Sequence, residues 1–303
     1  MPASYPSGWH LWADLRRSSP PSVVAQPASP PRAAPVNQPL QPRPDFKISA
    51  VVVARNEAAT IGRVISQLHD LGATEIIAVV NGSRDGTEDL AQGAGADVLS
   101  YVEPLGHDVG KALGALRADG DAVLFLDADF AVPATSLQPF VDTIAGGADV
   151  ALNDLRSLGT TWRGHDLPHL IPAAACLLNH TLGRPDLGPN SLTISPYALS
   201  RRAVARLGRH LGVPPLALAL AIEEGLAVSN SGLVNVYTLN RHRPGLHDGS
   251  GEETIWKLIL GDYLEATNYF LAKKGPRGGC TDLGRRRDFI DRTLTNEGDQ
   301  HTM

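Results

Sequence analysis

The chain is sparing with cysteine, aromatic residues, basic charge and long apolar runs. Only two cysteines, Cys176 and Cys280, occur in 303 residues. They stand far apart with no His or Cys at metal spacing, so neither a disulfide framework nor a zinc site is indicated, and a reducing cytoplasm fits best. No stretch reaches the roughly 18 apolar residues of a membrane helix, and the most apolar candidate, 211–222, is broken by Pro214-Pro215. No continuous apolar region follows a basic start at the N-terminus, so the expectation is a soluble, cytoplasmic protein without a leader or a transmembrane segment. Basic residues are outnumbered 27 to 32, the net charge is -5 and the pI is near 6.0. Such a chain carries no electrostatic footprint for nucleic acid, and Arg285-Arg286-Arg287, its one dense basic run, reads as a solvated helix face.

What is plentiful is aliphatic. Hydrophobic residues make up 43%, ample core for one large domain or two small ones. Proline is concentrated at one end: residues 1–45 hold 11 of the 23, with Ser and Ala but no helical or strand period. That composition cannot bury enough apolar surface to offset its ordering entropy, so residues 1–45 are expected to be a disordered tail. The folded unit starts near Phe46.

Residues 47–54 are β-branched and uncharged after Lys47, the pattern of a central parallel strand. Arg55-Asn56-Glu57 follow, and Ile61, Val64, Ile65 and Leu68 then share one helical face. Those three polar residues could reach a nucleotide, or could equally cap the helix and meet its dipole. Residues 75–80 repeat the strand pattern and end in Asn81-Gly82-Ser83-Arg84-Asp85-Gly86-Thr87, a turn that can cap a helix at 88–94. A short strand at 97–102 leads to Pro104-Leu105-Gly106-His107-Asp108-Val109-Gly110-Lys111, a glycine-bearing loop opening a helix at 112–117. Backbone N–H groups there and the Lys111 ammonium would suit a diphosphate, while the plain alternative makes Lys111 a surface charge.

The chain is organised around Val123-Leu124-Phe125-Leu126-Asp127-Ala128-Asp129. Four apolar residues read as a strand buried on both faces, and its carboxyl end is where parallel sheets place ligands. Residues two apart in an extended chain point the same way, so Asp127 and Asp129 can face one hard cation, Mg²⁺ or Mn²⁺, shared with substrate phosphates. Taken alone, both could be solvated turn residues.

Four motifs in register carry a resemblance: Ala54-Arg55-Asn56-Glu57, Asn81-Gly82-Ser83 through Thr87, Gly110-Lys111, and Phe125-Leu126-Asp127-Ala128-Asp129. Over residues 46–155 the chain resembles the family two glycosyltransferases, which have the GT-A nucleotide-sugar fold, an α/β Rossmann-like mixed sheet flanked by helices. It is also similar to glucosyl- and mannosyl-3-phosphoglycerate synthases. The resemblance implies that Ala54, Arg55, Asn56, Glu57, Asn81 and Ser83 hold base and ribose. It implies that Asp127, Ala128 and Asp129 hold ribose and metal-diphosphate, and that Lys111 lies near base and phosphates. Val80-Asn81 stands where the family usually has an acidic pair, which leaves the identity of the base open.

Residues 156–250 are expected to be the acceptor-side half of the same domain, with a strand at 148–152, a Gly/Pro loop at 183–190, a possible strand at 191–195 and a helix at 199–207. Glu223 and Glu224 fall where inverting members carry a base that deprotonates the acceptor hydroxyl, and they also fit a solvated helix face. Asn240 to Asp248 resembles the segment that supplies a histidine as a third metal ligand in the phosphoglycerate-linked enzymes. His242 is the better positional match and His247 the alternative, with Arg241 and Arg243 beside diphosphate or an anionic acceptor, unless the segment is simply a basic surface loop. Residues 251–303 read as a helix at 252–273 and a polar tail. Ile255, Ile259, Tyr263, Ala266 and Phe270 share one helix side, fit for core packing, a possible homodimer or a membrane face.

The expectation is a metal-dependent glycosyltransferase moving a sugar from a nucleoside diphosphate sugar to a hydroxyl acceptor. Stereochemistry, sugar and base stay open. A sugar-nucleotide nucleotidyltransferase and a non-catalytic nucleotide-sugar-binding scaffold are the alternatives.

Overall fold

The computed structural model describes residues 45–158, 167–239 and 252–290. The expected tail at 1–45 and the segment carrying Arg241, His242, Arg243 and His247 lie outside the described residues, apart from position 45.

The first half alternates strand and helix: β1 (Ile48–Ala54), α1 (Ile61–Asp70), β2 (Glu75–Asn81), α2 (Thr87–Gly93), β3 (Asp97–Tyr101), α3 (Val109–Arg117) and β4 (Ala122–Asp127). The second half is helix-rich, with α4 (Ala134–Ala145), β5 (Val150–Leu152), α5 (Leu167–Thr181), β6 (Tyr197–Ser200), α6 (Arg201–Leu207), α7 (Pro214–Glu223), β7 (Val228–Asn230), α8 (Val236–Leu239) and α9 (Glu252–Lys274). Among the described residues these strands form one sheet, in the order β3-β2-β1-β4-β6-β5-β7. Strands β1 to β4 pair in parallel, β6 runs antiparallel between β4 and β5, and β7 is parallel to β5. Every strand but β6 therefore presents its carboxyl end to the same edge.

Strand period 2 divides the core between the two faces. Ala50, Val52, Leu124 and Leu126 pack with Ile61, Ile65, Leu68 and Phe140 from α1 and α4. Val51, Val123 and Phe125 pack with Ala115, Leu207 and Leu218 from α3, α6 and α7. Helix α3 lies so close on β1 that a Cβ at Gly114 would overlap Val51 Cγ1, and one at Gly110 would come 3.0 Å from Val53 Cγ1. The missing side chains let the helix approach.

Three expectations move. The strand expected at 191–195 is turn, because the Ser191 hydroxyl accepts from the Thr193 N–H (3.0 Å) and Pro196 has no N–H to give a ladder; β6 forms at Tyr197–Ser200 instead. Helix α6 starts at Arg201, capped by the Ser200 hydroxyl, which accepts from Ala203 N at 3.1 Å. Pro214-Pro215, the break in the apolar stretch, opens α7. The apolar side of α9 holds: Ile259, Tyr263, Ala266 and Phe270 are buried, the first three in a cluster with Ile171, Ala175 and Leu178 of α5.

Candidate active site

The carboxyl ends of β1, β2 and β4 bring most of the expected residues to one edge. The loops after β1 and β2 are stitched to each other. Asn56, at φ 56, donates its N–H to Ser83 Oγ (2.9 Å), and its Oδ1 accepts from Arg84 N (2.9 Å). Glu57 N–H donates to Thr87 Oγ1 (2.8 Å) and Ala58 N–H to Asp85 Oδ2 (3.0 Å). Burial alone would raise the Asp85 pKa, but the hydrogen bonds from Thr87 and Ala58 overcome it and hold it below its ordinary value. Arg55 is exposed at this edge, whereas Ala54 and Glu57 are buried.

Asn81 is buried and bonded through both ends of its amide. Its amide donates to Gly106 O (3.0 Å) and its Oδ1 accepts from Leu105 N (2.6 Å), so it braces the loop before α3. Its side chain ties the carboxyl end of β2 to that loop.

Lys111 departs further from the surface-charge alternative. Helix α3 begins at Val109, not at 112, which places Lys111 in its first turn with the ammonium buried. Lys111 Nζ lies 2.9 Å from Asp108 Oδ1 and 3.4 Å from Asp127 Oδ1, and 5.9 Å from the centre of the Tyr197 ring. Burial by itself would push its pKa down, but the charge of Asp108 and then that of Asp127 outweigh it and raise it. For Asp108, burial works upward, yet Lys111 and a 2.6 Å contact with His107 Nδ1 pull its pKa to about 2. The His107 pKa moves up, with the hydrogen bond and charge of Asp108 overcoming the effect of burial. Burial raises the Tyr197 hydroxyl as well.

Asp127 closes β4 with its side chain 41% exposed, and Asp129 follows two residues on. Ala128 between them is buried, and its N–H donates to Val53 O (3.0 Å), holding the chain to β1 one residue past β4, where it turns at Asp129. As a donor set, two carboxylates on one strand end suit a hard divalent cation that takes its other ligands from a diphosphate. Among the described residues no group of three or more His, Cys, Asp or Glu is placed to hold an ion. His242 lies outside them.

Glu223 and Glu224 are not at this edge. They end α7, four or five residues before Val228, which pairs with Val150. Val150 pairs with Leu199, and Leu199 with Val123 near the amino end of β4. A second observation agrees: Asp262 of α9 senses the charges of Asp108 and His107, whereas Glu223 pairs with Lys273 (2.9 Å), about three helical turns or 16 Å further along α9. Glu224 pairs with Arg206 at 3.0 Å. Helix α7 runs against the strands, so the two glutamates expected to supply a base stand toward the amino ends of the strands rather than beside Asp127.

Sequence reasoning missed Asp108, Tyr197 and Asp262. The Asp108–Lys111 pair has a legible i, i+3 spacing, but its burial follows from the earlier start of α3. The acceptor-side loops are held by amides: Asn153 Nδ2 donates to Val234 O (2.9 Å) and its Oδ1 accepts from Val234 N (2.9 Å), while Asn190 Oδ1 accepts from Leu155 N (3.0 Å) and its Nδ2 donates to Asp154 Oδ1 (3.1 Å). Those bonds carry no periodic signal.

A mixed sheet flanked by helices, with paired aspartates at the carboxyl end of a central strand, defines a nucleotide-diphospho-sugar transferase fold of GT-A type. Residues 49–205, just over half of the chain, match the model of Glycosyl transferase family 2, and the chain belongs to that family. Glycosyltransferase AglJ of Haloferax volcanii is 34% identical over 116 residues, 37% of this chain and 37% of that protein. Undecaprenyl-phosphate 4-deoxy-4-formamido-L-arabinose transferase of Pseudomonas aeruginosa is 30% identical over 122 residues, 37% of this chain and 36% of that protein. The match thus spans little more than a third of those relatives. Glucosyl-3-phosphoglycerate synthase of Mycobacterium tuberculosis, solved with Mn²⁺, UDP and phosphoglyceric acid, superposes with a TM-score of 0.55 at 25% identity over 73% of this chain and 78% of that one. The same enzyme solved with Mg²⁺ and UDP shares the fold, with a TM-score of 0.56 at 23% identity, over 74% and 80%. No helix among the described residues is long and apolar enough to cross a membrane.

Proposed function

We propose that the protein transfers a sugar from a nucleoside diphosphate sugar to a hydroxyl acceptor and that a divalent Mn²⁺ or Mg²⁺ ion assists. The observation that carries this reading is the Asp127–Asp129 pair at the carboxyl end of β4, with the stitched β1 and β2 loops beside it. Asp129, with Asp127 directly or through water, would hold the ion, whose chemistry is to neutralise charge on the diphosphate leaving group. His242 or His247 would complete the ligand set. The β1 and β2 loops, from Ala54 to Glu57 and at Ser83, would orient base and ribose, and orientation supplies much of the acceleration through effective molarity.

A UDP-sugar donor and a small phosphorylated hydroxy acid are the first pair to test. The Mycobacterium tuberculosis synthase, which superposes over 73% of this chain, was solved with Mn²⁺, UDP and phosphoglyceric acid. A base at Glu223 or Glu224 would favour inversion and a histidine ligand at His242 retention; Glu223 and Glu224 stand in ion pairs with Lys273 and Arg206.

The test is a thermal-shift screen of UDP-, GDP-, ADP- and TDP-sugars with and without Mn²⁺, followed by nucleoside diphosphate release in the presence of 3-phosphoglycerate. A ligand that binds only the native state raises the melting temperature by mass action. The expected result is a Mn²⁺-dependent shift with one nucleotide, lost in Asp129→Asn. No shift with any donor would overturn the reading, and binding without turnover on any acceptor would favour a scaffold role.

A further inference from the structure

We propose that Asp108 is a positioning residue: by neutralising Lys111 in place of Asp127, it keeps the Asp127–Asp129 pair strongly negative toward a divalent cation. The inference rests on the metal reading above and deepens it.

The Lys111 side chain is 3% exposed and that of Asp108 2%, while Asp127 stands 41% exposed at the strand end. A buried ammonium needs a counter-charge, and two carboxylates lie within reach of this one, Asp108 at 2.9 Å and Asp127 at 3.4 Å. Were Asp127 the sole partner, Lys111 would cancel one of the two negative charges offered to the cation. Asp108, nearer and as deeply buried as the ammonium, takes that charge instead. His107 Nδ1, 2.6 Å from the other oxygen of Asp108, holds the carboxylate in its orientation. The position of the ammonium is fixed from behind by α3, which the bare backbones of Gly110 and Gly114 let press on Val53 and Val51 of β1. Asp108 sits at φ 59, a left-handed conformation that Asn adopts as readily as Asp, so an uncharged isostere fits the same backbone.

The experiment measures Mn²⁺ affinity of the nucleotide-free full chain by calorimetry or by the free-Mn²⁺ paramagnetic signal, so it does not depend on turnover. The proteins are wild type, Asp108→Asn, the double variant Asp108→Asn/Lys111→Met, and Asp129→Asn. Asp108→Asn is expected to bind Mn²⁺ about tenfold more weakly, because Lys111 is then neutralised by Asp127 alone. The double variant removes both buried charges and is expected to return to within about threefold of wild type. A role confined to stability would lower the melting temperature of Asp108→Asn and leave its Mn²⁺ affinity at the wild-type value, and that result overturns the inference while Asp129→Asn still loses binding. A double variant as weak as the expected single variant overturns it too, and decides the matter if Asp108→Asn does not fold. If wild type binds Mn²⁺ no better than Asp129→Asn, with or without UDP, the metal reading fails and this inference falls with it.

Discussion

The two edges of the sheet use carboxylates in opposite ways. At the carboxyl edge, Asp108 and Asp127 flank a buried ammonium, and the backbone around them is pinned by ladder bonds and by a helix pressed onto β1. At the amino edge, Glu223 and Glu224 pair with Lys273 and Arg206, whose side chains are 49% and 61% exposed. A charge pair in water exerts little influence on anything but its partner, whereas one taken out of water is screened far less and acts beyond its partner. Both edges set acidic residues beside basic ones. Desolvation and strand direction separate them.

The largest effect that can break this contrast is on turnover. Asp129→Asn keeps size and shape but removes a charge from the carboxyl edge, and kcat/KM, read as nucleoside diphosphate release, is expected to fall by about a hundredfold or more with the melting temperature little changed. A variant with near wild-type turnover would show that the edge is only a structural turn.

Next in size is the packing that holds the carboxyl edge in place. Gly114→Ala forces a methyl into Val51 of a close-packed core and is expected to cost about 1–3 kcal/mol in denaturant unfolding. Gly62→Ala on α1, where nothing lies within 4 Å of the added Cβ, is the matched control and is expected to stabilise by about 0.5–1 kcal/mol. If both substitutions behave alike, α3 is not pressed on β1.

The same contrast explains what could be read from the chain before its structure. Strands β1, β2 and β4 are buried on both faces, so continuous β-branched and aliphatic runs mark them, and Asp127 and Asp129 stand at the end of such a run. Strands β5 and β7 have three residues each and β6 has four, too short for a period, and the loops around them are held by Asn153 and Asn190 bonding to backbone. The placement of Glu223-Glu224 was illegible for a different reason. Which edge a helix end reaches depends on strand direction and pairing, and Val228 pairing in parallel with Val150 is a tertiary fact absent from the local pattern. Lys111 read as a possible surface charge because its burial depends on α3 beginning at Val109.

A smaller and pH-dependent effect tests how far the buried charges reach. Asp262 on α9 has its pKa raised from 3.8 to about 6, by burial first and then by the charge of Asp108. The folded state therefore holds the proton more tightly than the unfolded chain. Asp262 favours folding at pH below 3.8 and loses that contribution as pH rises through about 6. Asp262→Asn is expected to gain about 1 kcal/mol at pH 7.5, a figure discounted for partial exposure, and nothing at pH 3.5. Thermal unfolding at the two pH values checks it, and an equal gain at both would show that burial and the charge of Asp108 together leave the Asp262 pKa where it is in the unfolded chain.

The smallest expected effect is the sharpest test of the contrast, because it predicts silence where the family pattern placed a base. Glu223→Gln and Glu224→Gln each remove a charge from the amino edge, and neither side chain lies near Asp127. Exposed pairs of this kind contribute little, so the melting temperature of each variant is expected to stay within about 2 °C of wild type. A general base contributes about 10²- to 10⁴-fold, so its loss could not hide in a kcat/KM that stays within about twofold. The two variants are compared across pH 6 to 9, where a missing base would also flatten the rising limb of the profile. A hundredfold loss in either variant would mean that the acceptor is activated from the amino edge, and the assignment of all chemistry to the carboxyl edge would fail.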